Sequence, residues 1–291
     1  MLIGAHCSGG VKGAVDKAVE IGADAVQLFT QSPRTWRPPT PDPETYERFR
    51  ARREEAGMGA VLCHAIYLVN LAAPNDDVYE KSLASMRSTM DIACAIEAEG
   101  VVFHVGSHLG SGFEQGLERV LPAMAQVLER CSERTWLLME NSAGAGGTIG
   151  RSIEELATLY ERLDRHPRLG VCLDSCHLFV SGTDVTDAAA LDAVVRSLDD
   201  AVGLDRLRCL HVNDSKAPLG SNRDRHENIL DGLMGEGLGT FLAHPAFQGL
   251  PAILEVSGPD NRGPDANEIR KTRELHARSA PTKPRSRRRK G

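Results

Sequence analysis

A single-domain TIM (β/α)8 barrel is the fold class this sequence predicts, on three observations. Short apolar runs recur eight times, and segments with apolar residues three and four apart separate them. The length of 291 residues with 41% hydrophobic content suffices for one barrel of about 250 residues. Strict alternation of β and α elements implies a parallel sheet, and eight pairs favour a closed barrel over a doubly wound sheet.

In chain order, strands are expected at LIGAHC (2–7), AVQLFT (25–30), AVLCH (60–64), VVFHV (101–105), WLLMEN (136–141), GVCLDS (170–175), RCLHVND (208–214) and AILEV (252–256). Between them AVDKAVEIG, PETYERFRARREEAG, DVYEKSLASMRSTMDIACAIEAEG, FEQGLERVLPAMAQVLERC, SIEELATLYERL and AAALDAVVRSLDDAVG read as helices, with acids early and bases or glycine late. ANEIRKTREL is the closing helix, so the barrel domain spans 1–278. The remainder, SAPTKPRSRRRKG (279–291), has no apolar periodicity, two prolines and a run of like charge, and reads as a basic disordered tail.

The overall charge of −6 divides into −15 for residues 1–269 and +9 from Arg270 to Lys290. An acidic body argues against a surface coated with nucleic-acid contacts, yet carboxylates gathered around cations count as negative here while being neutralised in the loaded protein. Nucleic acid is therefore not excluded as a partner. No apolar run approaches the roughly 18 residues that span a bilayer, and Met1 leads directly into LIGAHC, so a cytoplasmic enzyme without membrane contacts is expected. Seven scattered cysteines, an odd number, fit reduced buried thiols better than a disulfide framework.

In this fold the carboxyl ends of the strands build the active site. Here those ends carry His6, Gln27, His64, His104, Glu140, Asp174 followed by His177, His211, and Glu255, and the seventh loop adds Asp224 and His226. Taken singly, His6 or His108 reads more simply as a hydrogen-bonded rim residue. So many imidazoles and carboxylates converging from different strands would repel and be poorly solvated without cations among them, which points to more than one Zn²⁺ or Mn²⁺ ion. In VCLDSCH (171–177), Asp174 and His177 fall at the barrel's mouth, His177 beginning the loop, while Cys172 and Cys176 read as small buried residues because no second cysteine pair completes a four-sulfur site. GAGGTIG (144–150) follows a strand and precedes a helix, but from Gly144 the third glycine of a dinucleotide loop would fall on Ile149 and no phosphate-loop lysine follows, so it reads as a flexible loop beside Glu140.

The stretches GAHCSGG, IGADAVQLFTQSPRTW, HAIYLVNLAAP, FHVGSH, MENSAGAGGTIG, GVCLDSCHLFVSGTD, HVNDSKAPLGSNRDRHENI and GPDANEIRKTREL resemble the endonuclease IV family of zinc-dependent apurinic/apyrimidinic endonucleases, in the family's order and over nearly the whole chain. That resemblance implies a xylose-isomerase-like barrel and three Zn²⁺ ions, with Mn²⁺ possible at some sites. His64, His104 and Glu140 match the ligands of the first; Glu140 would bridge to the second, completed by Asp174, His211 and Glu255; His177, Asp224 and His226 match those of the third. It further implies catalytic roles for Glu140 and Glu255, DNA contacts by Arg34 and Tyr67, and a monomer that cuts double-stranded DNA 5′ to abasic sites, leaving 3′-hydroxyl and 5′-deoxyribose phosphate ends. Such an enzyme would be nucleoid-associated in a bacterium.

Three features depart from the family pattern. Ile66 and Val105 stand where the family often has proline, LDGLM between Ile229 and Gly235 looks inserted close after Asp224 and His226, and the basic tail lies beyond the shared region. The rival function is a single-metal sugar isomerase or epimerase, for which Glu140, Asp174, His211 and Glu255 alone would suffice.

Overall fold

The computed structural model describes residues 1–40 and 42–280, so the basic segment 281–291 of the expected tail lies outside the described residues. Eight strands form a closed parallel barrel: β1 (Leu2–His6), β2 (Ala25–Phe29), β3 (Ala60–His64), β4 (Gly100–His104), β5 (Trp136–Glu140), β6 (Leu169–Asp174), β7 (Leu207–His211) and β10 (Pro251–Leu254), with β10 closing between β7 and β1. A two-stranded antiparallel hairpin, β8 (Asp214–Ser215) with β9 (His226–Glu227), stands between β7 and β10 in the chain. Every barrel strand lies where the sequence placed one; β7 departs most, ending at His211 because the chain leaves the ladder there to enter the hairpin.

The outer helices are α1 (Gly10–Glu20), α2 (Pro43–Glu55), α3 (Asp76–Ala95), α4 (Phe113–Leu128), α5 (Ile153–Arg162), α6 (Ser175–Ser181), α7 (Ala188–Ala201), α8 (Leu238–Ala243) and α9 (Ala266–Ser279). Side-chain caps start many of them: Asp42, Asn75, Ser152, Asp187 and Asp265 each accept a first-turn backbone N–H. Alternation along the strands sends Val171 and Leu173 outward to the helices, while Leu62, Val102, Leu138, Cys172, Cys209 and Ile253 fill the barrel interior. Full burial of such aliphatic side chains contributes about 1.5–3 kcal/mol each.

Two helices were not expected. His177 does not begin a loop but sits in the first turn of α6, whose cap is Asp174 itself, with His177 N–H 2.7 Å from Asp174 Oδ1. The six-residue α8 is too short to show periodicity. Among the described residues no helix is long and apolar enough to cross a membrane.

Candidate metal centre

Register places the strand-borne groups side by side at one end of the barrel. His104 is level with Glu140, Asp174 with His211, and His6 with Gln27. Glu140 lies fully buried between two sets of nitrogens, with Oε2 at 3.3 Å from His64 Nε2 and 3.6 Å from His104 Nε2. Its other oxygen, Oε1, is 3.1 Å from His211 Nδ1, which also stands 3.2 Å from Glu255 Oε2 and 4.0 Å from Asp174 Oδ2. One carboxylate thus faces two clusters, the arrangement a bridging ligand requires.

A third cluster lies beside them. His177 Nε2 and His226 Nε2 approach opposite oxygens of Asp224, at 3.3 and 3.2 Å, and His226 Nε2 is 3.8 Å from Asp174 Oδ2. Asp224 and His226 arrive from the β8–β9 hairpin, next to the segment that looked inserted. That segment is fastened. The buried Asp214 carboxylate accepts the backbone N–H groups of Ser215, Gly232, Met234 and Gly235 at 2.8–3.2 Å, and Glu268 accepts that of Ile229 at 2.9 Å. Glycine is required at 232, where a Cβ would collide with the Asp214 carboxylate.

The donor set fits cations. His177 Nε2 and His226 Nε2 are buried yet make no hydrogen bond, although each faces a carboxylate. Burial by itself would raise the Glu140 carboxyl, but His104 and His211 beside it outweigh this and hold it well below its ordinary range. Burial likewise opposes the charge on His211, and Glu255 and Glu140 overcome it, lifting the imidazole to about 10. Desolvation raises Asp224, and His177 and His226 bring it down to about 2. Protons on these imidazoles neutralise the same carboxylates that a metal ion would, so metal and proton compete for the same nitrogens. The cavity above holds about 320 Å³ and is lined by His6, His64, Tyr67, His104, His177, Asp224, His226 and Glu255. His177 belongs to its buried wall and Asp174 lies behind that wall, not at an open mouth, the two being 2% and 0% exposed.

Residues 15–278 match a family described as a xylose isomerase-like TIM barrel. The probable endonuclease 4 of Methanoculleus marisnigri is 39% identical over 279 residues, covering 94% of this chain and 99% of that protein. The chain belongs to the endonuclease IV family. Endonuclease IV from Thermus thermophilus has the same architecture, with a TM-score of 0.83 at 38% identity over 96% of this chain and 100% of that one. The protein is thus a nuclease of the endonuclease IV type. A D-tagatose 3-epimerase-like protein, at 17% identity and a TM-score of 0.71 over 96% and 97% of the two chains, shares the barrel.

Around the centre of this endonuclease IV family member, the other sequence-derived residues fall into two groups. Cys172 is sealed in the apolar barrel interior, and burial pushes its thiol well above the ordinary value. Burial also pushes Cys176 up to about 12, and neither cysteine lines the cavity. At the rim, Tyr67 is 70% exposed with its ring edge-on to Phe29 at 5.1 Å, and Arg34 is exposed on the β2–α2 loop. Trp36 is half-buried and packs on the core. The 144–150 loop is pinned rather than free: His108 N–H donates to Gly147 O at 2.9 Å and Ile149 N–H to Gly106 O at 2.9 Å. His108 acts there as a clasp, its Nδ1 accepting from Gly110 and Gly112.

Three buried amides around the ligands carried no assignment from the sequence. Asn141 Oδ1 accepts from Asp174 N–H at 2.7 Å, Asn213 Nδ2 donates to Asp174 Oδ2 at 2.6 Å, and Gln27 Nε2 donates to Glu255 Oε1 at 2.6 Å. Asn213 also accepts from Glu255 backbone N–H at 2.8 Å, tying the Asp174 carboxylate and the backbone of Glu255 to one side chain. Their position at or just past strand ends was the available signal.

Proposed function

We propose that the protein hydrolyses the phosphodiester 5′ to abasic sites in double-stranded DNA, leaving a 3′-hydroxyl and a 5′-deoxyribose phosphate, at a centre of three metal ions. The observation that carries this reading is the third cluster, His177, Asp224 and His226, set beside a Glu140 that faces two others. A single-metal sugar isomerase or epimerase has no use for it. Zn²⁺ suits the imidazole and carboxylate donors, with Mn²⁺ an acceptable substitute at the carboxylate-rich site of Asp174, His211 and Glu255.

His64, His104 and Glu140 would hold the first ion, Glu140, Asp174, His211 and Glu255 the second, and His177, Asp224 and His226 the third. Bound ions would supply the positive charge that activates water and stabilises an in-line phosphoryl displacement. The chain's own residues hold that charge in place. The buried Glu140 and Asp174 fix the ligand spacing, and the cavity of about 320 Å³ would take a phosphodiester whose flanking nucleotide has left the helix. Extrusion costs least where the base is already missing, so selection of the lesion needs no reading of sequence. Tyr67 and Arg34, exposed at the rim, would contact the DNA at the lesion, and the protein would act as a monomer in the cytoplasm.

The test is a labelled duplex carrying one abasic analogue, incubated with and without chelator and sized on a denaturing gel. A single chelator-sensitive cut on the 5′ side of the lesion is expected. An intact duplex with metal-loaded protein, together with turnover of a free ketose, would select the epimerase.

A further inference from the structure

Three histidines of the centre reveal which ring nitrogen they turn inward. His64 Nδ1 and His177 Nδ1 lie 2.6 and 2.9 Å from the carbonyl oxygens of Ala65 and Asn141, to which each Nδ1–H donates, His177 Nδ1 standing also 3.2 Å from Glu140 Oε1; each Nε2 is left facing a carboxylate. His211 is turned the other way. Its Nδ1 faces Glu140 and Glu255, while its Nε2 lies 2.9 Å from Gln27 Oε1.

The reversal can be traced to a group with no freedom of its own. Glu255 as a carboxylate only accepts, so the Gln27 atom 2.6 Å from Glu255 Oε1 is the amide nitrogen. The amide oxygen then faces His211, whose Nε2 has to carry the proton. His211 Nδ1 is then the nitrogen turned to Glu140 Oε1 and Glu255 Oε2, at 3.1 and 3.2 Å, the position where a proton or a metal ion sits between them. His6 Nδ1 stands close to the same pair, 3.1 Å from Gln27 Nε2 and 3.4 Å from Glu255 Oε1, and its Nε2 is buried without a hydrogen-bond partner. Gln27 is itself fully buried, on the strand next to His6.

We propose that Gln27 is a positioning residue of the metal centre: its amide makes His211 an Nδ1 ligand and restrains Glu255 Oε1 so that Oε2 is the oxygen offered to the ion. It acts through the ligands and touches neither ion nor substrate. The inference rests on the metal-centre reading of the site, whatever the substrate proves to be.

The test uses the full chain and the variants Gln27→Leu and Gln27→Glu, each loaded with Zn²⁺. Metal content is followed during chelator titration, and long-range ¹H–¹⁵N spectra report the ring nitrogens of the histidines. In the unaltered protein His211 should show a protonated Nε2 and a metal-bound Nδ1. Gln27→Leu should release one ion at ten- to hundredfold lower chelator and lose that His211 signature, because the group holding the tautomer is gone. Gln27→Glu keeps an acceptor for His211 Nε2–H, so it should retain the signature while repulsion from Glu255 weakens metal retention. An Nε2-bound His211 in the unaltered protein would overturn the proposal, and so would a Gln27→Leu chain with unchanged chelator resistance and ring signals. Should Gln27→Leu fail to fold, the unaltered spectrum and Gln27→Glu decide. Failure of the unaltered chain to bind zinc overturns the metal-centre reading instead.

Discussion

The strand side and the hairpin side of the centre reach the same density of ligands by different means. His64, His104, Glu140, Asp174 and His211 each end a strand, and the ladders of a closed barrel fix their spacing. Asp224 and His226 hang from a hairpin with two residues per strand, and the Asp224 side chain is 49% exposed where those of Glu140, Asp174 and His211 are fully buried. What replaces the ladder on the hairpin side is a carboxylate. Asp214 gathers four backbone N–H groups from its own strand end and from residues 232–235, and Glu268 on α9 holds Ile229. Extra chain is tolerated at this place because it lies outside the sheet and its amides find a buried acceptor.

The largest expected effect is on the strand side. Glu140→Ala removes the one group that faces two clusters, so the protein should lose more than one ion, and turnover should fall by about a thousandfold or more. Metal analysis alongside single-turnover cleavage checks this. Loss of one ion alone would mean that Glu140 does not bridge.

A smaller and more selective effect is expected on the hairpin side. Asp214→Asn keeps the shape of the side chain but turns an N–H₂ toward amides that need an acceptor, on one or other side of the group. The segment 229–235 should loosen, and the third ion should be retained ten- to hundredfold less well while the ions of the strand side stay bound. Equal loss of all the ions would show that the two halves are not independent, and unchanged retention would show that the ladderless half needs no staple.

The same contrast explains what could be read in advance. All eight barrel strands were legible because each is a short apolar run, and the ligands were legible because His and Glu at the ends of such runs are otherwise costly. Helix α6 was missed because SCHLFV continues the apolar run of β6, and its start signal, an Asp three residues before the capped N–H, is the same Asp174 that read as a ligand. Asn141 and Asn213 were passed over, and Gln27 was read as a strand-end residue without a role, because a neutral amide carries no metal signature; only the distances to Glu255, Asp174 and His211 disclose its work. Asp214, inside HVNDSK, reads as an ordinary turn acid until the chain brings Gly232 and Met234 back to it about twenty residues later.

The smallest effect is expected from the two cysteines, which lie close to both halves. Cys172 and Cys209 come within ligand range of His211, and Cys176 within range of Asp224 and His226, so proximity alone would allow sulfur to serve as a ligand. Burial argues the other way, since a thiol pushed far above its ordinary value gives up its proton reluctantly and only the thiolate binds metal well. Alanine is the informative replacement, because serine would leave a hydroxyl in the apolar layer of Leu62, Val102 and Leu138 that surrounds Cys172. Cys172→Ala and Cys176→Ala should therefore keep all the metal and turnover within about twofold of the unaltered protein, with a stability loss of about 1–2 kcal/mol from the small cavity each leaves. Denaturant melts and metal analysis separate the two contributions. An ion missing from Cys172→Ala would place sulfur in the strand-side cluster, and one missing from Cys176→Ala would place it on the hairpin side, where the ligand shell is the more exposed.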